Sequence, residues 1–188
     1  MNDSHFSIPL KTQRIILRPF VLDDAGNFSN LLKDKEVAAT TLMLPYPCDL
    51  AKANEIIQRY IEDRKLKKSI RWAIVDCTSN DFMGGIRLVP NQLFNSAEIG
   101  FWLGKKFWGE GFTFEASKKI IEFGFVELKL NRIEAHSMVE NIASIKLLKK
   151  LGFKQEGLHR ELVMKWDEYK DVKTFGLLKK DYTQKRNK

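Results

Sequence analysis

Period and composition divide the chain into a regular series of elements. Arg14-Ile15-Ile16-Leu17-Arg18-Pro19-Phe20 reads as an opening strand stopped near Pro19. Asp23 or Asp24 is placed to cap a short helix running toward Leu32. Thr40–Pro47 holds two prolines without a period and reads as a loop. Asp49 then caps a long helix with Ile56, Ile57, Tyr60 and Ile61 at helical spacing. The strands Ile70–Asp76 and Phe82–Val89 follow, joined by the polar turn Cys77-Thr78-Ser79-Asn80-Asp81, and Ala97–Leu103 makes a third strand of the meander.

A helix from Phe112 to about Glu127 is apolar over a wide face (Phe112, Ala116, Ile120, Ile121, Phe123, Phe125), as packing against a sheet requires. Arg132–Met138 is the next strand. A helix from Asn141 to Gly152 carries an Asn start and a Gly stop. Two strands close the chain, near Phe153–Trp166 and Val172–Leu178, turning at Asp167-Glu168-Tyr169-Lys170. The order predicts one α/β domain over residues 1–188, with a mixed sheet flanked by helices.

Composition narrows the class. A chain of 188 residues, 44% apolar and 30% charged, is of a size and balance for one domain with its own core. No apolar run nears the roughly 20 residues that span a bilayer, and the N-terminus lacks a signal-peptide pattern, so a cytoplasmic protein is expected. Cys48 and Cys77 stand outside any metal-ligand spacing, so neither a disulfide framework nor a metal site is expected. Part of the net charge of +8 lies in Arg64-Lys65-Leu66-Lys67-Lys68, which reads as a helix end, and part in a solvated tail at about 179–188. Nucleic-acid binding alone lacks the aromatic and basic motifs it needs.

The chemistry concentrates between Ala97 and Phe153. Trp108-Gly109-Glu110-Gly111-Phe112-Thr113 is a glycine-paired turn that opens a helix. Missing Cβ atoms let backbone N–H groups approach an anion, and the helix dipole favours its charge, so the turn implies a phosphate-bearing ligand. Together with Glu98–Leu103, the Asn141…Ser144 pair, Lys150-Leu151-Gly152-Phe153 and the opening Thr12–Pro19, this ordered set resembles the GNAT superfamily of N-acetyltransferases, and within it the RimJ/RimL-like branch that acetylates N-termini of ribosomal proteins. The resemblance covers nearly the whole chain, with an acetyl-CoA-binding core at about 97–153.

The resemblance implies direct acetyl transfer from acetyl-CoA to a primary amine. Backbone groups of Phe101 and Leu103 would pair with the pantetheine arm. Amides from Trp108 through Gly109, Glu110, Gly111 and Phe112 to Thr113 would hold the pyrophosphate. Asn141 would hydrogen-bond the cofactor arm and Ser144 would donate to the thiolate. The family's usual helix Tyr corresponds by spacing to Leu148, and Trp108 and Thr113 depart from its usual phosphate turn. Glu98 is the candidate base, its plainer reading being an ion pair on a strand; a carboxylate with a raised pKa could take the amine proton. His136 on the neighbouring strand is a second candidate, while His5 and His159 have no supporting context. Trp102 shares the strand face of Glu98 and reads as either an acceptor wall or core.

The expected acceptor is a protein N-terminus. The alternatives are a small amine, such as a polyamine or an aminoglycoside, and a non-catalytic acetyl-CoA-binding module. A polycation would need acids at the acceptor mouth, which Glu161, Asp167, Glu168 and Asp171 could supply. The loops Thr40–Asp49 and Val89–Ser96 are expected to contact the acceptor. Met43, Leu44, Pro45 and Tyr46 are apolar enough to cover a substrate or to meet a second subunit in a homodimer.

Overall fold

Alternation along the strands and the wide apolar face of the helix after Gly111 are satisfied together by a sheet buried on both faces. The computed structural model describes residues 9–186; His5 lies outside them. Strands β1 (Leu10–Lys11), β2 (Ile15–Pro19), β3 (Ile70–Asp76), β4 (Phe82–Asn91), β5 (Ser96–Leu103), β6 (Arg132–Met138), β7 (Lys154–Lys165) and β8 (Glu168–Leu178) form an eight-stranded sheet in the order β1-β2-β3-β4-β5-β6-β8-β7. Every pairing is antiparallel except β5 with β6. The helices are α1 (Ala25–Leu31), α2 (Lys35–Ala39), α3 (Leu50–Lys65), α4 (Phe112–Val126), α5 (Ile142–Leu151) and α6 (Lys179–Arg186). The expected mixed, mostly antiparallel α/β sheet is the one observed.

One face of the sheet packs Ile15, Ile70, Trp72, Ile86, Leu88 and Ile99 against Ile120, Phe123 and Phe125 of α4 and Leu148 of α5. The other packs Ala73, Val75 and Phe82 against Phe28 of α1 and Ile57 of α3. Trp72 meets Phe123 edge-on with ring centroids 5.7 Å apart, and Trp102 meets Phe28 at 5.1 Å.

Several boundaries differ from the sequence reading. Neither Asp23 nor Asp24 caps α1 with its side chain. Instead Asp24 is buried and its carboxylate accepts from Arg18 at 2.6 and 2.9 Å and from the Val21 N–H at 2.9 Å. The last hairpin turns at Trp166-Asp167, both at positive φ (51° and 64°), with Lys165 paired to Glu168; tight hairpins need that conformation at both turn residues. Residues 179–186 are not a free tail but α6, held by Tyr182 on the Phe125 ring (5.0 Å) and by Lys154 on Asp181 (3.1 Å). The short helix α2 has no sequence counterpart.

Candidate active site

β5 and β6 run parallel and pair only from Ser96↔Arg132 to Glu98↔Glu134. Beyond Glu98 and Glu134 they part. The edges from Ile99 and from Ala135 onward face each other across a gap, and a cavity of about 460 Å³ occupies it. Helix α4 begins at one side of this gap and α5 at the other.

The α4 side is the glycine turn. Gly109 and Gly111 sit at φ 83° and 81°, in the left-handed region that a Cβ disfavours, and Gly111 is the N-cap residue. The first turn leaves the N–H groups of Phe112, Thr113 and Phe114 without intrahelical acceptors, at the positive end of the dipole. Arg14 adds a cation: its guanidinium lies 4.4 Å over the Phe112 ring, donates to the Glu110 carbonyl (3.1 Å) and pairs with Glu115 (2.8 Å). Trp108, Gly109, Gly111, Phe112 and Thr113 line the cavity. Glu110 does not; its carbonyl is held by Arg14. These groups fit a phosphate-bearing arm entering between the strands.

Two expected cofactor contacts differ in detail. Phe101 lines the cavity, whereas Leu103 is buried and its carbonyl accepts the Trp108 indole N–H at 2.8 Å. Asn141 caps α5, its Oδ1 accepting the Ser144 N–H (3.0 Å), while its Nδ2 donates to the Thr40 carbonyl (2.8 Å). One side chain thus ties the N-terminus of α5 to the loop over the cavity. Ser144 is half-buried in the cavity wall, and Leu148, one turn on, is fully buried.

The far wall is the sheet face that carries Arg71, Arg87, Glu98, Gly100, Trp102 and His136. Arg87 donates to Glu98 Oε1 in an ion pair, and His136 Nδ1 stands 3.7 Å from Glu98 Oε2. Glu98 therefore sits both in the strand ion pair and in the cavity. A Cβ on Gly100 would lie 2.7 Å from Arg87 Nε, so the glycine leaves the lane along which Arg87 reaches Glu98. Trp102 packs on Phe28 and Phe82 and also lines the cavity.

Thr40–Leu44 closes the top, held by Asn141 and by Lys165, whose Nζ donates to the Thr41 and Leu44 carbonyls at 2.8 and 3.2 Å. Burial pulls the Lys165 amine below its usual pKa. The loop expected at Val89–Ser96 is elsewhere: β4 runs on to Asn91, leaving a hairpin tip with Leu93 and Phe94 exposed and away from the cavity. Nor do Glu161, Asp167, Glu168 or Asp171 line it. Asp171 accepts the Glu161 N–H (2.8 Å) beside a separate pocket, and Glu168 pairs with Lys170 (2.5 Å). Sequence reasoning missed Arg14, Arg71, Arg87 and Lys165, which lie among apolar neighbours or far from the motif in the chain.

A family model described as an acetyltransferase (GNAT) domain matches residues 14–154. The uncharacterized N-acetyltransferase p20 of Bacillus licheniformis is 38% identical over 176 residues, 92% of this chain and 97% of its own. The spermidine N(1)-acetyltransferase of Vibrio cholerae is 25% identical over 170 residues, 90% of this chain and 95% of its own. The Mycobacterium smegmatis RimJ, solved in complex with CoA-disulfide, shares the fold with a TM-score of 0.79 at 20% identity, over 91% of this chain and 86% of that one. With a matching domain model, a close full-length relative and a gap between strands that fits the pantetheine arm and its phosphates, the chain belongs to the GNAT acetyltransferases and is an acetyl-CoA-dependent N-acetyltransferase.

Proposed function

We propose that the chain acetylates the N-terminal amine of a protein or peptide, a ribosomal protein being the class that the RimJ/RimL-like resemblance suggests. The observation that carries this reading is the charge of the cavity wall. Arg71 and Arg87 line the cavity beside Glu98, and Glu161, Asp167, Glu168 and Asp171, which could have drawn a polycation, lie outside it. A +8 chain repels such a substrate further. The spermidine acetyltransferase relative favours the second reading, a small amine acceptor.

Acetyl-CoA supplies the activated acetyl thioester. Backbone N–H groups from Gly109 to Thr113 hold its phosphates with Arg14 beside them, and the free edge of Phe101 aligns its arm. Arg87 occupies Glu98 Oε1 and leaves Oε2, facing His136, to take a proton from the incoming ammonium group. Ser144 brings a hydroxyl donor to the start of α5, where the leaving sulfur needs one. Asn141 acts on both partners at once by fixing Ser144 and the loop above it.

The test is thiol release from acetyl-CoA across peptides with Ser or Ala N-termini, N-blocked peptides, spermidine and an aminoglycoside. Release with free N-termini alone supports the reading. Release with the small amines alone overturns it in favour of the second.

A further inference from the structure

The chemistry above leaves Arg71 without a task. It lies directly opposite Arg87 in the β3–β4 register, and like charges facing each other across a strand pair are destabilising. Arg87 has Glu98 as its counter-ion. Arg71 is less well matched: its salt bridge to Asp63 Oδ2 is long at 3.8 Å, beyond hydrogen-bond reach, and the Tyr60 ring lies 4.4 Å beneath the guanidinium. The side chain is only 18% exposed, and its Nε–H is buried without an acceptor among the described residues. Burial, with Arg87 nearby, pulls the guanidinium below its usual pKa, a sign of a charge incompletely compensated. Arg71 also lines the cavity, on the wall away from the glycine turn.

We infer that Arg71 is an anion subsite for the acceptor, and that the preferred substrate is a peptide whose second residue is Asp or Glu. The inference rests on the N-terminal acetyltransferase reading and names its substrate class. Arg71 faces Arg87 and Arg87 faces Gly100, so Arg71 and Glu98 stand two strands (about 10 Å) over and two residues (about 7 Å) along from each other, a span that the long Arg71 side chain shortens. With the amine at Glu98, one residue of extended chain (about 3.5 Å) and a short acidic side chain bring a carboxylate to the guanidinium. Arginine is suited to this, since its fork pairs both carboxylate oxygens while its face stays on Tyr60.

The experiment compares four peptides identical except at the second residue (Asp, Glu, Gln or Lys after an N-terminal Ser), with wild type, Arg71→Gln and Arg71→Lys. Wild type is expected to favour the acidic peptides over Gln by about 30-fold in kcat/KM, as a charge-assisted pair predicts, with Lys poorest. In Arg71→Gln the acidic-to-Gln ratio falls to about 1, and Arg71→Lys keeps part of it. Acetyl-CoA affinity measured separately reports an intact fold in both variants. Turnover of all four peptides without acidic preference, or a preference that survives Arg71→Gln, overturns the subsite alone. Absence of turnover with every peptide overturns the N-terminal reading and the subsite with it.

Discussion

Asn141 joins two parts of the site through one amide, and two substitutions separate its tasks. Asn141→Ala removes the N-cap of α5, worth about 1 kcal/mol, and the hydrogen bond to the Thr40 carbonyl, worth about 0.5–1 kcal/mol at a half-exposed position. The expected loss is therefore about 1.5–2 kcal/mol, which for a domain of this size lowers Tm by roughly 3–8 °C. Asn141→Asp keeps an acceptor for the Ser144 N–H and places a negative charge at the helix N-terminus, so the cap survives. It puts a carboxylate against the Thr40 carbonyl, however, and the loop loses its tether. Its stability loss is about 1 kcal/mol or less. Both variants should raise KM for the acceptor through the freed loop. Denaturant titration gives the stabilities and steady-state kinetics with a fixed acceptor gives KM. Equal stability losses in the two variants, or an acceptor KM unchanged in Asn141→Asp, would refute the bridging role.

Further outcomes follow from other contacts. Gly111→Glu forces a side chain into φ 81° and sets a carboxylate in the phosphate turn, so acetyl-CoA binding by calorimetry should vanish while circular dichroism stays native. Ser144→Ala should lower kcat by about tenfold or more with little change in acetyl-CoA affinity, since its donor acts late in the reaction; unchanged turnover would make Ser144 a helix residue only. Glu98→Gln should move the rate–pH profile to higher pH, where free amine needs no base, and a profile matching wild type would remove Glu98 from proton transfer. Burial pushes the Glu115 carboxyl up, but the Thr12 hydroxyl, the Arg14 N–H and the Arg14 guanidinium outweigh it and hold the group below the usual carboxylate range. A depressed carboxylate contributes stability that is present above its unfolded pKa and lost as pH falls through the folded value. Glu115→Gln should therefore destabilise at pH 7, with a deficit shrinking below about pH 4.3 in denaturant midpoints.

The glycine turn and the capped start of α5 were legible because they are local. The positive φ of Gly109 and Gly111 and the Asn141 cap on the Ser144 N–H are set within a few residues, and the motif spacing encodes that geometry directly. The strands were legible too: β3 and β6 begin and end at the predicted residues. The wall of Arg71 and Arg87 and the loop above it were not. In Ile70-Arg71-Trp72-Ala73-Ile74 an arginine between apolar residues reads as the solvent side of an alternating strand, and only the packing of α3 over that face turns Arg71 inward. Lys165 lies 121 residues from Leu44, whose carbonyl it holds, and no period connects them. The Val89–Ser96 loop was misplaced because Pro90 suggests a strand end, yet Pro90 pairs with Ala97 inside the β4–β5 ladder. Helix α6 hid in a polar composition because its apolar anchor is Tyr182 on Phe125.

The parting of β5 from β6 after three paired residues has a thermodynamic side. A sheet whose middle seam is unstitched over half its length lacks main-chain bonds where most sheets are strongest. A cosubstrate arm lying in the seam would replace some of them and so link occupancy to folding. At a hundredfold excess over Kd, a ligand that binds only the native state adds about 2.7 kcal/mol to its stability. Within residues 99–103 and 135–138, the amide hydrogens that face the seam rather than β4 or β8 should then exchange more slowly in its presence, and resistance to proteolysis should rise with acetyl-CoA. The enzyme's lifetime would in this way be coupled to the same metabolite pool that sets its rate.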